Sequence, residues 1–114
     1  IAEALKVNAT VTDLNLNFNK IGAEGGVAIA DALAVNATLT SLDVGYNDLN
    51  EETALSIVRI ERQRNKLTTL GLACCEIGPT GAKEIAEWVS VSALTDLNLM
   101  WNQIGDEGAI AIGE

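Results

Sequence analysis

The sequence predicts an α/β solenoid: a short curved sheet of about four parallel strands on the concave side, with α-helices on the convex side. The first observation behind this is an internal repeat. Residues 11–30 (VTDLNLNFNKIGAEGGVAIA) and 94–113 (LTDLNLMWNQIGDEGAIAIG) share 12 of 20 residues at an offset of 83. LTSLDVGYNDLN from Leu39 and LTTLGLACCEIG from Leu67 lie between them, so units begin at Val11, Leu39, Leu67 and Leu94, spaced 28, 28 and 27 residues apart. The second observation is that each unit moves from a period of two to a helical period. The third is composition: 48% hydrophobic residues but only 4% aromatic, a core of small aliphatics that suits thin, repeated layers.

Within each unit the strand comes first. Leu14-x-Leu16, Leu42-x-Val44, Leu70-x-Leu72 and Leu97-x-Leu99 have the alternation of a short strand with one buried face. Asn19, Asn47, Cys75 and Asn102 follow at a fixed point. Gly22, Gly78 and Gly105 then allow the turn into the helix. The helices show inward stripes, Val27, Ile29, Ala30 and Leu33 in one unit and Ala82, Ile85, Ala86 and Val89 in another. Gly25, Gly81 and Gly108 are read as small residues that let helix and sheet approach closely. Residues 1–10 match 29–38 at eight of ten positions, so the chain opens in the second half of a unit. The expected organisation is one domain over 1–114: a partial unit 1–10, units 11–38, 39–66 and 67–93, and a partial unit 94–114. Neither end carries a polar cap, which leads us to expect a fragment of a longer array and self-association through uncapped ends.

Four copies of L-x-x-L-x-L-x-x-N/C-x-L/I, three of them continuing into Gly and a helical stretch, resemble the leucine-rich repeat family, within it the ribonuclease-inhibitor-like class with one α-helix per unit. The resemblance covers essentially the whole chain. It implies that Asn19, Asn47, Cys75 and Asn102 turn inward and bond turn backbone groups in a ladder from unit to unit, with Cys75 as a stand-in for Asn. It also implies a protein-interaction module, since family members mostly bind proteins through the concave face and adjoining loops. An alternative implied class is a segment of a larger regulator, of GTPase-activating or intracellular immune-receptor type, whose activity lies elsewhere. The Arg of the Ran GTPase-activating repeats has no counterpart that can be matched here.

The second unit departs from the pattern. Asn50 and Thr53 stand where the other units have Gly, and Glu61 stands where the first unit has Leu33. That helix is expected to end early, rotate or loosen its last turn. Arg59, Arg62, Arg64 and Lys66 hold four of the seven basic residues. They read either as a patch for an acidic partner or as a solvated face balanced by Glu51, Glu52 and Glu61. Trp88, at the place of Ala32, reads as a space-filling core residue or as a contact between copies.

The chemistry of the chain argues against catalysis. It has no His, which removes the commonest general base and metal ligand. Cys74 and Cys75 are adjacent, too close to bridge readily and without a second pair at zinc-ligand spacing. IGAEGG at 21–26 lacks the spacing and the Lys of a phosphate loop. No catalytic residue, metal or cofactor is expected. A net charge of −9 disfavours nucleic acid and anionic membrane surfaces, and points to a neutral or basic protein partner. No signal sequence and no apolar run of bilayer length is read, and with no disulfide framework the expected location is intracellular, in the cytoplasm. Asn8-Ala9-Thr10 and Asn36-Ala37-Thr38 match the glycosylation pattern but recur at one point of the repeat, so they are read as turn chemistry.

What remains is the concave face, where equivalent side chains form rows about 4.8 Å apart. Asp13, Ser41, Thr69 and Asp96 make the first row; Asn15, Asp43, Gly71 and Asn98 the second. Asn17, Gly45, Ala73 and Met100 make the third, and Phe18, Tyr46, Cys74 and Trp101 the fourth. The surface therefore grades from acidic and polar to aromatic, a make-up common at binding hot spots. The expected partner-binding residues are Asp13, Asn15, Asn17, Phe18, Asp43, Tyr46, Cys74, Asp96, Asn98, Met100 and Trp101. The blander alternative for the aromatic row is packing over the Asn turn.

Overall fold

A computed structural model describes residues 12–100 and residue 102. Four strands, β1 (Asp13–Asn15), β2 (Ser41–Asp43), β3 (Thr69–Gly71) and β4 (Asp96–Asn98), alternate with three helices, α1 (Gly22–Val35), α2 (Glu51–Arg64) and α3 (Pro79–Val89). All four strands are parallel and lie in chain order. Asp13 faces Ser41, Ser41 faces Thr69, and Thr69 faces Asp96; Asn15, Asp43, Gly71 and Asn98 are likewise in register. The first two expected rows are therefore spatial rows.

The ladder runs beyond the strands. Leu16 N–H donates to Asp43 O (2.8 Å) and Phe18 N–H to Gly45 O (3.2 Å); Val44 N–H and Tyr46 N–H donate to Gly71 O and Ala73 O (3.0 Å each); Leu72 N–H and Cys74 N–H donate to Asn98 O and Met100 O (2.9 Å each). Rows three and four thus keep the same register. At the strand entries, the hydroxyls of Thr40, Thr68 and Thr95 each donate to the carbonyl of the Thr one unit before, at 3.2, 3.3 and 3.1 Å. This Thr12–Thr40–Thr68–Thr95 ladder is visible in the sequence as a recurrence, but its side-chain role is not.

Between sheet and helices lies one apolar cluster: Leu16, Leu42, Val44, Leu70 and Leu72 from the strands meet Ile29, Leu33, Ile57, Val58 and Ile85 from the helices. Leu94, Leu97 and Leu99 pack on it partly buried. Trp88 is 2% exposed, so it fills space inside rather than contacting another copy. Its indole N–H has no partner among the described residues.

Four expectations are corrected. Val27 is exposed, and the buried residue at that level of α1 is Gly26; a Cβ there would run into Thr53 and Leu49, so Gly26 is where α1 meets α2. Gly25 and Gly81 do not set a helix–sheet approach. A Cβ at Gly25 would meet Ile21, and one at Gly81 would meet the Glu51 carboxylate, which reaches past Gly81 to accept Gly78 N–H at 2.6 Å. Nor does the departure of the second unit at Asn50 and Thr53 loosen α2. Asn50 caps it by accepting from Thr53 N–H and Thr53 Oγ1, both at 2.9 Å, with Glu51 and Glu52 in the first turn and Arg62 and Arg64 in the last, as the helix dipole favours. Finally, α2 does not end early: Glu61 is wholly buried in its last turn.

Glu61 stays buried because its carboxylate is surrounded by donors. Lys66 N–H and Leu67 N–H donate to it at 2.7 Å each, and Arg64 Nη1 at 2.9 Å. Arg64 also donates through Nε to Asn36 O at 2.8 Å and through Nη2 to Leu39 O. The pair closes the C-terminus of α2 and ties it to the loop before β2. Asn36 is itself buried and accepts Thr38 N–H and Leu39 N–H at 3.0 and 2.9 Å, the turn chemistry expected of Asn36-Ala37-Thr38. Asn8, Ile104, Gly105, Gly108 and both chain ends lie outside the described residues.

Candidate functional site

Helices cover one face of the parallel sheet, and among the described residues nothing covers the other. All-parallel sheets ordinarily have both faces covered, so the open face is the natural candidate surface. Its scaffold is the turn after each strand. Asn47 is fully buried: Nδ2 donates to Leu16 O (2.7 Å), Val44 O and Gly45 O (both 3.0 Å), and Oδ1 accepts Asn19 N–H (2.6 Å) and Ile21 N–H (3.4 Å). Asn102 repeats this two joints along, donating to Leu72 O (2.9 Å) and Leu99 O (3.0 Å) and accepting Cys75 N–H (2.8 Å) and Ile77 N–H (3.0 Å). Among the described residues the Asn19 side chain bonds only carbonyls of its own unit, Leu16 O and Asn17 O. The expected ladder is present, but it is broken at one joint. Cys75 Sγ reaches only Ala73 O at 3.5 Å, within its own unit.

The second row also serves the scaffold, a role the sequence reading missed. Asn15, Asp43 and Asn98 each accept the N–H two residues on, from Asn17 (3.1 Å), Gly45 (3.0 Å) and Met100 (3.0 Å). These are Asx turns, and recurrence of Asn or Asp two residues before the bend was their signal. In β3 the place is taken by Gly71, over which the Asp43 side chain leans, and beside it lies a depression of about 350 Å³ lined by Asp43, Thr69, Gly71, Asp96 and Asn98, with Leu70 and Leu97.

The expected residues are not equally presented. Asp13, Asn15, Asp96 and Asn98 are exposed, Asp43 and Asn17 half-buried, and Met100 exposed. Gly45 and Ala73 are buried, so the third row is not a continuous surface row. In the fourth row Phe18 is 69% exposed, Tyr46 half-buried and Cys74 exposed. The rings of Phe18 and Tyr46 stack with centroids 4.3 Å apart and planes 5° apart. Phe18, Tyr46 and Cys74 have φ of 60°, 58° and 53°, left-handed backbone that costs a side-chain-bearing residue roughly 1 kcal/mol or more. Lys20, Asp48 and Glu76 are also left-handed, so Asn19, Asn47 and Cys75 are each flanked by two such residues. Trp101 lies outside the described residues.

Two of the four basic residues at and after α2, Arg59 and Arg64, are held in ion pairs, while Arg62 and Lys66 are exposed. Arg59 meets Glu84 of α3 twice, Nε to Oε2 at 2.8 Å and Nη2 to Oε1 at 3.0 Å, and Glu52 at 3.3 Å. Its hydrogen bond and charge hold the Glu84 carboxyl below the usual range. Arg64 is 4% exposed at its side chain and paired with Glu61. The acidic balance is therefore present, though through Glu84 and Glu52 for Arg59, and with Glu61 buried rather than solvated.

Cys74 and Cys75 are both free thiols. Burial pushes the Cys75 thiol up to about 12, with the neighbouring Cys74 and Asp43 adding to it. Since the thiolate is the nucleophile, iodoacetamide at neutral pH is expected to label Cys74 only. Mass spectrometry of the native protein should find one modification, and the denatured protein two. Rapid double labelling of the native chain would contradict the packing described for Cys75.

Among the described residues no group of three or more acidic, His or Cys side chains could hold a metal ion, and no helix is long and apolar enough to cross a membrane. The family model for the Leucine Rich repeat matches residues 7–30, 35–58, 64–86 and 93–113. No curated protein matches the chain. Among solved structures, the Leiomodin-1 Actin-Binding Site 2 is 27% identical, with a TM-score of 0.80 over 98% of this chain and 65% of that one. The tropomodulin C-terminal domain of Caenorhabditis elegans is 10% identical, with a TM-score of 0.84 over 97% of this chain and 70% of that one. The second likeness shows the fold alone. The chain spans 65% of the length of the leiomodin structure.

Proposed function

The chain belongs to the leucine-rich repeat family, and on that premise we propose that its concave face binds a protein or peptide, with the acidic first two rows and the aromatic fourth row as contacts. The observation that carries this reading is the stacked Phe18–Tyr46 pair, solvent-facing at two positions whose left-handed backbone favours Gly or Asn. A fold under no demand for recognition has little reason to hold large rings there. Exposed, rigid aromatics beside acidic side chains form the low-entropy kind of contact surface on which hot spots are built.

The partner's contacting surface is neutral or basic, because Asp13, Asp43 and Asp96 face outward with no arginine on the same rows. The likeness to the Leiomodin-1 Actin-Binding Site 2 makes actin the first partner to test. We place the protein in a reducing, intracellular setting, in keeping with its two free thiols.

The experiment is sedimentation of purified actin with the chain and with an Asp13/Asp43/Asp96→Ala variant, alongside Phe18→Ser. We expect the wild-type chain to co-sediment, and each variant to weaken binding at least tenfold, about 1.4 kcal/mol. No binding by the wild type removes actin as partner. Equal binding by all three proteins places the contact off the concave face.

A further inference from the structure

The open face carries a depression beside Gly71, the notch. The second row has Asn15, Asp43 and Asn98 in the other strands, and only β3 lacks a side chain there. We propose, resting on the concave-face reading above, that this notch receives one cationic side chain, arginine or lysine, of a protein partner laid across the sheet.

The argument is one of shape and charge together. The depression of about 350 Å³ has carboxylates on two sides, Asp43 on β2 and Asp96 on β4. Asp43 is held beside it, since its Oδ1 accepts Gly45 N–H at 3.0 Å. It also leans over Gly71, where a Cβ would run into it. Asp96 is exposed, in register with Thr69, whose side chain completes the rim. Among the described residues no basic side chain lines the notch. Arg59, Arg62 and Arg64 are on α2, Lys66 follows it, and Lys83 is on α3.

Two flanking carboxylates left without a cation would be stranded by an apolar side chain and would repel an anionic one. A guanidinium or ammonium on a flexible apolar stem satisfies them while its stem crosses the sheet. A metal ion fits less well, because among the described residues no three potential ligands come together. The depression is bounded by Asp43 on one side and Asp96 on the other, so it suits one residue of the partner rather than a general basic surface.

The test is an amide NMR titration of the 15N-labelled chain at constant ionic strength. The probes are n-butylguanidinium, n-butylammonium and neutral n-butylurea. Saturable shifts are expected at the amides of Thr69, Gly71 and Asn98 with one or both cations and not with butylurea. Which cation binds tighter distinguishes an arginine from a lysine anchor. Gly71→Asn, which installs the residue that two sister strands carry, is expected to weaken binding at least tenfold. Asp96→Asn removes charge without changing shape and is expected to do the same, so the result does not depend on Gly71→Asn folding. Shifts as strong at Glu24, Asp31 and Glu87 as at the notch would overturn the proposal. So would unchanged saturation in Asp96→Asn. If the triple alanine variant loses actin but the cations never saturate the notch, the notch fails while the concave face stands.

Discussion

Arg64→Met is expected to lower the unfolding free energy by about 3–5 kcal/mol, read as a shift in the urea midpoint at unchanged slope. The size follows from what the substitution leaves behind. Glu61 is wholly buried and Arg64 is its only ionic partner among the described residues. Removing the guanidinium strands a carboxylate out of water. It also frees the carbonyls of Asn36 and Leu39, which Arg64 satisfies one unit away. Glu61→Gln is expected to cost less, since an amide oxygen can still accept Lys66 N–H or Leu67 N–H. In the Arg64→Met background Glu61→Gln should recover part of the loss, giving a coupling of about 1–3 kcal/mol between the two positions. Arg59, exposed and paired with Glu84 and Glu52, is the contrast, and its removal should fall in the range of about 0–1 kcal/mol typical of surface pairs. An Arg64→Met cost as small as that would mean that Glu61 does not depend on Arg64.

The repeat period made the strands, their register and the rows of the open face legible, because every unit places the same residue type at the same height of the sheet. What stayed hidden lay wherever a unit departs from its sisters. Glu61 at the place of Leu33 looks like a defect in a hydropathy pattern. Only in space do Arg64 and the N–H groups of Lys66 and Leu67 converge on it. Asn50 and Thr53 look like two lost glycines, yet they form one helix cap. Val27 took the place of Gly26 in the expected stripe because a glycine carries no apolar signal, although its lack of a side chain is what admits Thr53 and Leu49. On the candidate face, the carboxylates and rings were readable as a list. The Phe18–Tyr46 stack depends on left-handed backbone that hydropathy does not report, and the notch depends on how three strands meet around Gly71.

The turn ladder offers a test in both directions, Asn47 at the joint between the first and second units and Cys75 at the joint between the second and third. Asn47→Ala removes an amide that donates to three carbonyls and accepts two N–H groups. Each buried group left unpaired costs about 1–3 kcal/mol, so a loss of about 3–5 kcal/mol is expected even if water reaches some of them. The damage should also be local. Asn47 fixes the turn of its own unit and that of Asn19, which hold Tyr46 and Phe18, so the near-ultraviolet signal of Tyr46 should weaken before the helices melt. Asn19→Ala should cost less, because Asn19 is exposed and, among the described residues, its side chain bonds only within its own turn. Cys75→Asn runs the other way. An amide there would stand toward the turn of Asn47 as Asn102 stands toward the turn of Cys75, restoring the cross-unit bonds that a thiol cannot make. A gain of about 1 kcal/mol is expected. Neutrality of Cys75→Asn, beside a large loss in Asn47→Ala, would show that the ladder stabilises each turn from within and not the joints between units.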